Sequence, residues 1–345
     1  MENRDIIIHA RPKSADSSVN AYSRMMNKMS GALVIQGAEG PQTWIEDFNR
    51  VAHYIDNLTN AQKPVSDATK RNYYVVCMIM VEGLNGGCMT DKWCSLEEYV
   101  FYTKRTTELN EKIMANKKEN KGLTDNQQEN LATKEEVNVM IEKLYRQHCC
   151  PHPNSMSDTN FNYVTAWLLF CMYKEIPCRN ELATLRITHK RPYNALSADE
   201  LKEHNWIIIN GGKNPRGEMT IIRNKYKTYG STMSGGVKKN VLSKELTQNV
   251  RKYMKIKERF PHLNDTEYLF PTLMNTAPNE QLNLSKLLTR VTREYLGKAI
   301  STTLLCKINN TTPELQQAVA TIQNIADNRG TSIGTLANTY IGGSQ

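Results

Sequence analysis

Residues 205–223 read NWIIINGGKNPRGEMTIIR, and this stretch decides the class of fold that the sequence predicts. Two runs rich in β-branched residues, 206–209 and 218–223, are separated by the turn-prone residues 211–215. Such runs on either side of a turn that contains Gly and Pro predict a pair of strands. A third strand is predicted at residues 237–242. The sequence therefore predicts one small antiparallel sheet of three strands.

Helical spacing dominates the rest of the chain. Between residues 44 and 55, apolar side chains recur at intervals of three or four residues, which places them on one helix face. Thr133 and Glu136 match the Thr-x-x-Glu capping box at a helix start, and Arg179 opens a further predicted helix with Leu182 and Leu185 inward. Helices are also predicted at residues 160–174, 244–260, 284–296 and 311–329. The predicted fold class is mainly α (α+β).

Composition divides the chain of 345 residues into four parts. Its length suits two domains, since domains typically run to about 100–200 residues. Between residues 114 and 132, Asn, Lys, Gln and Glu dominate, and such segments have too few apolar side chains to offset the entropy of ordering. The predicted parts are a polar tail at 1–12, a helical domain at 13–113, a linker at 114–132 and a second domain at 133–345.

The distribution of charge points to a polyanionic partner. Lys and Arg outnumber Asp and Glu by 44 to 35, which gives a formal net charge of +9. Ten of the basic residues lie between residues 225 and 260, against two acidic ones. Concentrated positive charge favours nucleic acid, because binding releases the counterions of the phosphates. The side chains predicted to contact DNA are Lys238, Lys239, Lys244 and Arg251.

Other classes of protein are disfavoured. The longest apolar stretches, 74–81 and 164–173, have only about half of the ~20 residues needed to cross a bilayer, and no secretory signal begins the chain. We therefore expect no membrane partner and an intracellular protein that is not secreted. The eight Cys form no C-x-x-C pair, and reduced thiols are expected. His148, Cys149, Cys150 and His152 crowd too closely for a tetrahedral metal site, so we expect no metal.

Three further motifs follow one another along the second domain. Arg179 is followed by Glu181 and Leu182, and Lys225 and Lys227 lie in the turn before the third strand. The chain then closes with ADNRGTSIGTLANTY at residues 326–340. In their order and spacing these motifs resemble the catalytic domain of the tyrosine recombinases, the phage-integrase family. The likeness is strongest to the recombinases of large DNA viruses, virophages and related mobile elements.

The family pattern sets the register of the last motif. It has an Arg followed by Glu-Leu, a Lys in a β-hairpin, a His-x-x-Arg box, and Gly-His-Ser-x-x-Thr with a Tyr nine residues after that His. Tyr340 stands nine residues after Thr331, with Gly330, Ser332 and Thr335 in register. The resemblance covers residues 133–345.

The resemblance implies a transesterification of DNA without metal or cofactor. Tyr340 would attack a phosphodiester and form a covalent 3′-phosphotyrosyl intermediate that preserves the bond for rejoining. Arg179 would bind the scissile phosphate through two parallel hydrogen bonds. Lys227 would protonate the leaving 5′ oxygen as general acid, and Lys225 is the alternative.

Three positions depart from the family pattern. In the expected register, Thr303 replaces the His of the His-x-x-Arg box, Cys306 replaces its Arg, and Thr331 replaces the later His. The loss of one preorganised donor costs about 10²–10³ in rate. Lys307 would point about 100° away from Cys306 on a helix. The resemblance therefore implies a recombinase of weakened activity. Its alternatives are a catalytically inactive, recombinase-derived DNA-binding protein and a type IB topoisomerase.

The resemblance also implies partners and location. The helical domain at 13–113 would be the core-binding domain, and together with the second domain it would clamp double-stranded DNA. The active form would be a homo-oligomer, a tetramer on DNA. It would act in integration or excision of a mobile or viral genome, in the host nucleus or in a cytoplasmic viral factory.

Overall fold

The structure is a computed structural model that describes residues 2–33, 43–119, 123–150, 157–176, 178–209, 217–226, 229, 235–263, 266–271, 283–310, 313–331 and 333. The chain forms two compact units, Met1–Asp125 and Asn126–Gln345. The boundary between them falls inside the segment that the sequence predicts as a linker.

The first unit is helical and is built around one buried helix. Ser66 caps that helix, because its side chain accepts a hydrogen bond from the backbone N–H of Thr69. Half of the helix's residues are buried, and the other helices of the unit pack against it. The helices are α1 (Asn3–Ala10), α2 (Asp16–Leu33), α3 (Phe48–Asp56), α4 (Asp67–Leu84, the central helix) and α5 (Glu97–Glu119); two short strands, β1 (Thr59–Asn60) and β2 (Lys63–Pro64), pair between α3 and α4.

The predicted polar tail at residues 1–12 is wrong. These residues contain α1, in which Ile6 and Ile7 are completely buried against the first unit's core. Helix α1 can approach α4 closely because Gly83 has no side chain: a Cβ there would lie 2.5 Å from the carbonyl oxygen of Ile6. The sequence did not indicate this helix because only three of its eight residues, Ile6, Ile7 and Ala10, are buried and most of the others are polar.

The predicted linker at 114–132 is also largely helical where the structure describes it. Helix α5 continues to Glu119, and a short helix, α6 (Asp125–Glu129), follows. The Lys112 ammonium group pairs with Asp67 at 3.0 Å, which ties α5 to the start of α4. Lys, Glu, Ala and Met are good helix formers even where they bury little surface, and the compositional prediction overlooked this.

The second unit is also mainly helical. The capping box predicted at Thr133 and Glu136 is confirmed, with the backbone N–H of Glu136 donating to Thr133 Oγ1 at 3.1 Å and the reverse bond at 2.7 Å. The central helix is α8, whose apolar residues are buried all round. The helices are α7 (Lys134–Leu144), α8 (Asp158–Glu175), α9 (Lys190–Ala195), α10 (Ala198–Glu203), α11 (Lys244–Lys257), α12 (Leu284–Leu296), α13 (Thr302–Asn310) and α14 (Pro313–Asn328).

The sheet of the second unit has four strands and is mixed, so the predicted three-stranded antiparallel sheet is corrected. All three predicted strands are present, as β4 (Asn205–Ile209), β5 (Thr220–Arg223) and β6 (Lys238–Val241), and they pair antiparallel in that order. The additional strand is β3 (Leu185–His189), which pairs parallel with β4 at the edge of the sheet.

The prediction of a helix that begins at Arg179 is also wrong, because strand β3 forms in its place. Only one 3₁₀ turn, Glu181–Thr184, forms before β3 begins at Leu185. Leu182 and Leu185 are buried as predicted, but Ile187 and Thr188 are β-branched and find partners in β4. Pairing with a strand 20 residues further along overrides the local spacing. The coarser prediction, a mainly helical chain with a small sheet, is confirmed.

No helix within the described parts of the chain has both the length and the apolar composition needed to cross a bilayer.

Candidate functional site

Helix α13 contacts the residues on both sides of Arg179. Cys306 donates a hydrogen bond from Sγ to the carbonyl oxygen of Cys178 at 2.8 Å, across 128 residues of chain. Thr302 donates from Oγ1 to the side-chain oxygen of Asn180 at 3.0 Å. The hydroxyl of Tyr173 donates to the carbonyl oxygen of Arg179 itself. The segment that bears Arg179 and the helix that bears the predicted Cys306 position are therefore in direct contact.

The side chain of Arg179 is exposed at this contact. Burial and, to a smaller extent, the Glu181 carboxylate raise the pKa of the Cys306 thiol to about 11, although the Arg179 guanidinium opposes both effects. Arg179 thus lies close enough to act on the thiol. At neutral pH the thiol keeps its proton, so Cys306 is a neutral hydrogen-bond donor and offers no charge to a phosphate.

Asn205, the first residue of β4, joins the Arg179 segment to the turn that follows β5. Its side-chain nitrogen lies 3.3 Å from the carbonyl oxygen of Glu181 and 3.0 Å from that of Lys225. Its side-chain oxygen accepts from the backbone N–H groups of Asn224 and Lys225, both at 2.9 Å. Asn205 is completely buried. No motif in the sequence marked this residue.

Lys225 is exposed at the end of β5, on the turn that Asn205 holds. The next residue back, Asn224, is buried and donates from its side chain to the carbonyl oxygen of Leu201 at 2.5 Å. The other two residues predicted for catalysis, Lys227 and Tyr340, lie outside the described residues. Of the segments that bear the predicted catalytic groups, the fold therefore links that of Arg179 to that of Lys225 through the side chain of Asn205.

The positions that depart from the family pattern have different surroundings. Thr303 is exposed on α13 and Thr331 is half-buried after α14. Lys307 donates from its ammonium group to Gln127 at 2.8 Å. Since Cys306 contacts Cys178 instead, these consecutive side chains diverge as the helical spacing predicts. Lys307 does not share the contact that Cys306 makes.

The basic residues predicted to contact DNA lie on β6 and α11. Lys238 and Lys239 are on β6, and Lys239 is exposed. Lys244 and Arg251 line one cleft of about 520 Å³, which Glu218, Thr247 and Gln248 complete. Arg251 also donates to the carbonyl oxygen of Gly217 at 2.7 Å, which fixes the position of its guanidinium.

One lysine of the basic run is not available to DNA. Lys257 is only 6% exposed, and its ammonium group donates to the carbonyl oxygen of Tyr268 at 3.0 Å. Burial lowers the pKa of Lys257 from 10.5 to about 8. Counting charges along the sequence therefore overstates the positive surface of this region by one residue.

A second cleft, of about 430 Å³, lies between β3 and α10 and is acidic, in contrast to the cleft lined by Lys244 and Arg251. Three carboxylates line it, and one of them, Glu267, pairs with Arg186 at 3.0 Å. Burial lowers the pKa of His204, and the neighbouring Arg186 guanidinium lowers it further, so the imidazole is neutral at pH 7. Carboxylates repel phosphate, which makes this cleft unsuited to DNA. The three carboxylates are Glu200, Glu203 and Glu267.

The cysteine and histidine run has structural contacts. His148 lies 2.8 Å from the hydroxyl of Tyr295 through Nε2, and its ring stacks on Tyr163 with the ring centroids 4.3 Å apart. Cys149 is buried, while Cys150 is exposed. Within the described ranges, no three side chains from His, Cys, Asp and Glu are grouped so as to hold a metal ion. His152 lies outside those ranges.

The chain matches no protein-family model, no curated protein and no solved structure. The functional argument therefore depends on the chemistry of the site. An exposed guanidinium can bind a phosphodiester through two hydrogen bonds, and an exposed ammonium group can stabilise added negative charge. Here Arg179 and Lys225 carry these groups, on two segments that one buried amide joins.

Proposed function

We propose that this protein cleaves and rejoins DNA as a site-specific recombinase or integrase of the tyrosine type. The observation that carries the proposal is the direct contact between segments that are far apart in the sequence. Helix α13 holds the residues on both sides of Arg179, and Asn205 links that segment to Lys225. The family resemblance assigns these same three regions to one active site, which supports the proposal.

The reaction would exchange one phosphodiester for another. The phenolic oxygen of Tyr340 attacks the phosphorus and loses its proton to solvent, while the bond from phosphorus to the 5′ oxygen breaks. The ammonium group of Lys227 or Lys225 gives its proton to that 5′ oxygen. Arg179 neutralises the negative charge that develops on the nonbridging oxygens. Rejoining runs the same steps in reverse, with a 5′ hydroxyl as the attacking group.

The proposal also implies how the protein binds DNA and where it acts. The first unit would act as the core-binding domain, and in each protein the two units would clamp double-stranded DNA. Four copies of the protein would assemble on the DNA as a tetramer. The cleft lined by Lys244 and Arg251, together with Lys238 and Lys239 on β6, would contact the DNA backbone. The protein would act inside the cell, in a host nucleus or a cytoplasmic viral factory.

A second candidate function is a catalytically inactive DNA-binding protein derived from a recombinase. Cys306 favours it, because its thiol donates to the carbonyl oxygen of Cys178 at a position where the family has a second arginine. A neutral thiol cannot neutralise a phosphate oxygen. The presence of Arg179, Lys227 and Tyr340 favours the enzyme instead.

The test is the capture of a covalent intermediate. The substrates are duplexes with randomised sequence and a nick close to the cleavage site. Cleavage releases the short fragment that carries the 5′ hydroxyl, so that rejoining fails and the adduct accumulates. The protein should form an adduct that resists denaturation, Tyr340→Phe should form none, and Tyr54→Phe, a control in the first unit, should react normally. Sequencing the trapped DNA then identifies the target site.

Two results would reject the recombinase. If the protein binds the duplexes but no member of the library yields an adduct, the inactive DNA-binding function is correct. If it relaxes supercoiled plasmid with no sequence preference, a type IB topoisomerase describes it better.

A further inference from the structure

Asn205 is a polar residue in a place where an apolar residue would be usual. It is completely buried at the start of β4, and the four residues that follow are Trp206, Ile207, Ile208 and Ile209. Burial of an amide is costly unless its hydrogen-bonding groups find partners. The role of Asn205 therefore depends on which partners it has.

The amide of Asn205 uses its full hydrogen-bonding capacity. An asparagine side chain offers two N–H donors and an oxygen that accepts two bonds. The oxygen accepts from the N–H groups of Asn224 and Lys225, and the nitrogen lies within hydrogen-bond distance of Glu181, Thr184 and Lys225. The peptide groups on both sides of Lys225 are thus held by the same side chain.

These partners are the two segments that bear the proposed cationic groups. Glu181 and Thr184 follow Arg179 in the 3₁₀ turn, and the turn begins two residues after Arg179. Helix α13 holds the other side of Arg179 at Cys178. Asn205 therefore contacts both the Arg179 segment and the Lys225 turn directly.

We infer that Asn205 is a positioning residue that fixes the Lys225 turn relative to Arg179, so that an ammonium group reaches the leaving oxygen of the phosphodiester that Arg179 binds. This inference rests on the proposed function. Proton transfer requires the donor within hydrogen-bond reach of the oxygen, and a displacement of about 1 Å can cost roughly 10² in rate. Removal of the Asn205 hydrogen bonds should therefore slow the protonation of the leaving oxygen more than it weakens DNA binding.

The experiment compares two leaving groups in the DNA. In one duplex the 5′ bridging atom at the scissile phosphate is oxygen, and in the other it is sulfur, which leaves as a thiolate and needs no general acid. Asn205→Leu has nearly the same size but no hydrogen bonds, and Asn205→Asp keeps the accepting oxygen while it loses the donor. Thr165→Val is the control, since it removes a buried hydroxyl contact with Tyr253 in the packing of α8 on α11.

Adduct formation is measured on the duplex identified by the library, with thermal melting of each variant to check that it folds. Both Asn205 variants should react about 10²-fold more slowly than the parent with the oxygen duplex, and within about 10-fold of it with the sulfur duplex. Their affinity for the duplex should stay within about threefold of the parent's. Thr165→Val should change the two rates by the same factor.

Three outcomes would overturn the inference. An equal loss on the two duplexes in both folded Asn205 variants would mean that Asn205 serves the fold alone. An undiminished rate with the oxygen duplex would mean that the Lys225 turn needs no such support. If the parent protein forms no adduct with either duplex, the proposed function fails first, and the inference with it.

Discussion

Cys306 is the residue at which the chain departs most from the pattern that it resembles. Its thiol keeps a proton at neutral pH and donates to the carbonyl oxygen of Cys178, although the Arg179 guanidinium lies nearby. The side chain is only half-buried, so a longer one has room to extend toward solvent. A second guanidinium at this position would restore the charge that the family pattern has there.

Replacement of Cys306 by Arg should therefore accelerate adduct formation. The loss of one preorganised donor costs about 10²–10³ in rate, and we expect Cys306→Arg to recover roughly tenfold or more of it. The measurement is the rate of adduct formation on the nicked duplex. Cys88→Arg adds the same charge at an exposed cysteine of the first unit, and it should leave the rate unchanged. A slower Cys306→Arg protein that is still folded would argue against the expected register of α13.

The burial of Lys257 leads to a prediction about how the stability of the protein depends on pH. Burial lowers its pKa from 10.5 to about 8, so below pH 8 folding must bury a charged ammonium group. Between pH 8 and 10.5 the folded state has released this proton while the unfolded state still holds it, and the contribution of Lys257 to stability therefore rises with pH.

The comparison is between the parent protein and Lys257→Met. The free energy of unfolding of the parent should rise relative to that of Lys257→Met by about 2 kcal/mol from pH 7 to pH 10. Urea unfolding at several pH values measures the difference. Lys255→Met changes an exposed residue of the same helix, and its difference from the parent should stay constant. A constant difference for Lys257→Met as well would mean that Lys257 is solvated.

At the scale of elements, the packing of α1 on α4 depends on one glycine. A Cβ at Gly83 would lie 2.5 Å from the carbonyl oxygen of Ile6, so that α1 would have to shift. Gly31 offers a matched comparison, because it also lies in a helix, α2, and a Cβ there would meet nothing within 4 Å.

The two Gly→Ala substitutions should therefore have opposite effects. Gly83→Ala should lower the free energy of unfolding by roughly 1–3 kcal/mol, since the clash is with backbone. Gly31→Ala should raise it by about 0.5–1 kcal/mol, because alanine is the better helix former. Chemical denaturation of each variant measures both effects. If Gly83→Ala stabilises the protein as Gly31→Ala does, α1 does not pack at Gly83.

The elements also differ in how far the sequence could predict them. The start of α7 was predictable because its capping box lies within four residues. Strand β3 was not, because local spacing fits a helix and only pairing with β4 selects the extended form. The contact of α13 with the Arg179 segment was implied by the resemblance, but Asn205 was not, since its four partner residues lie in two stretches about 20 residues away from it on either side.

At the scale of the whole molecule, the two units differ in charge. Residues 1–125 contain 16 Lys and Arg against 16 Asp and Glu, so the whole excess of nine lies in residues 126–345. Within that unit the acidic cleft beside α10 is separate from the cleft lined by Lys244 and Arg251. Electrostatic binding of DNA should therefore depend on the cleft lined by Lys244 and Arg251.

The salt dependence of DNA affinity tests this distribution. Each phosphate contact contributes about 0.9 to the slope of the logarithm of affinity against that of salt concentration. Lys244→Gln and Arg251→Gln should each reduce the slope by about that amount. Lys202→Gln, an exposed residue of α10 between Glu200 and Glu203, should leave it unchanged. If Lys244→Gln and Arg251→Gln have the same slope as Lys202→Gln, the cleft lined by Lys244 and Arg251 does not contact DNA.

The amino-acid sequence by itself determined the helical character of the chain, three of the four strands of the larger sheet, the net charge and the order of the motifs that resemble a recombinase. These properties depend on neighbouring residues or on composition. The tertiary structure decided the packing of α1, the strand β3, the burial of Lys257 and the place of Asn205 between two segments. Each of these depends on groups that are distant in the chain, and a contact of that kind exists only once the backbone has folded.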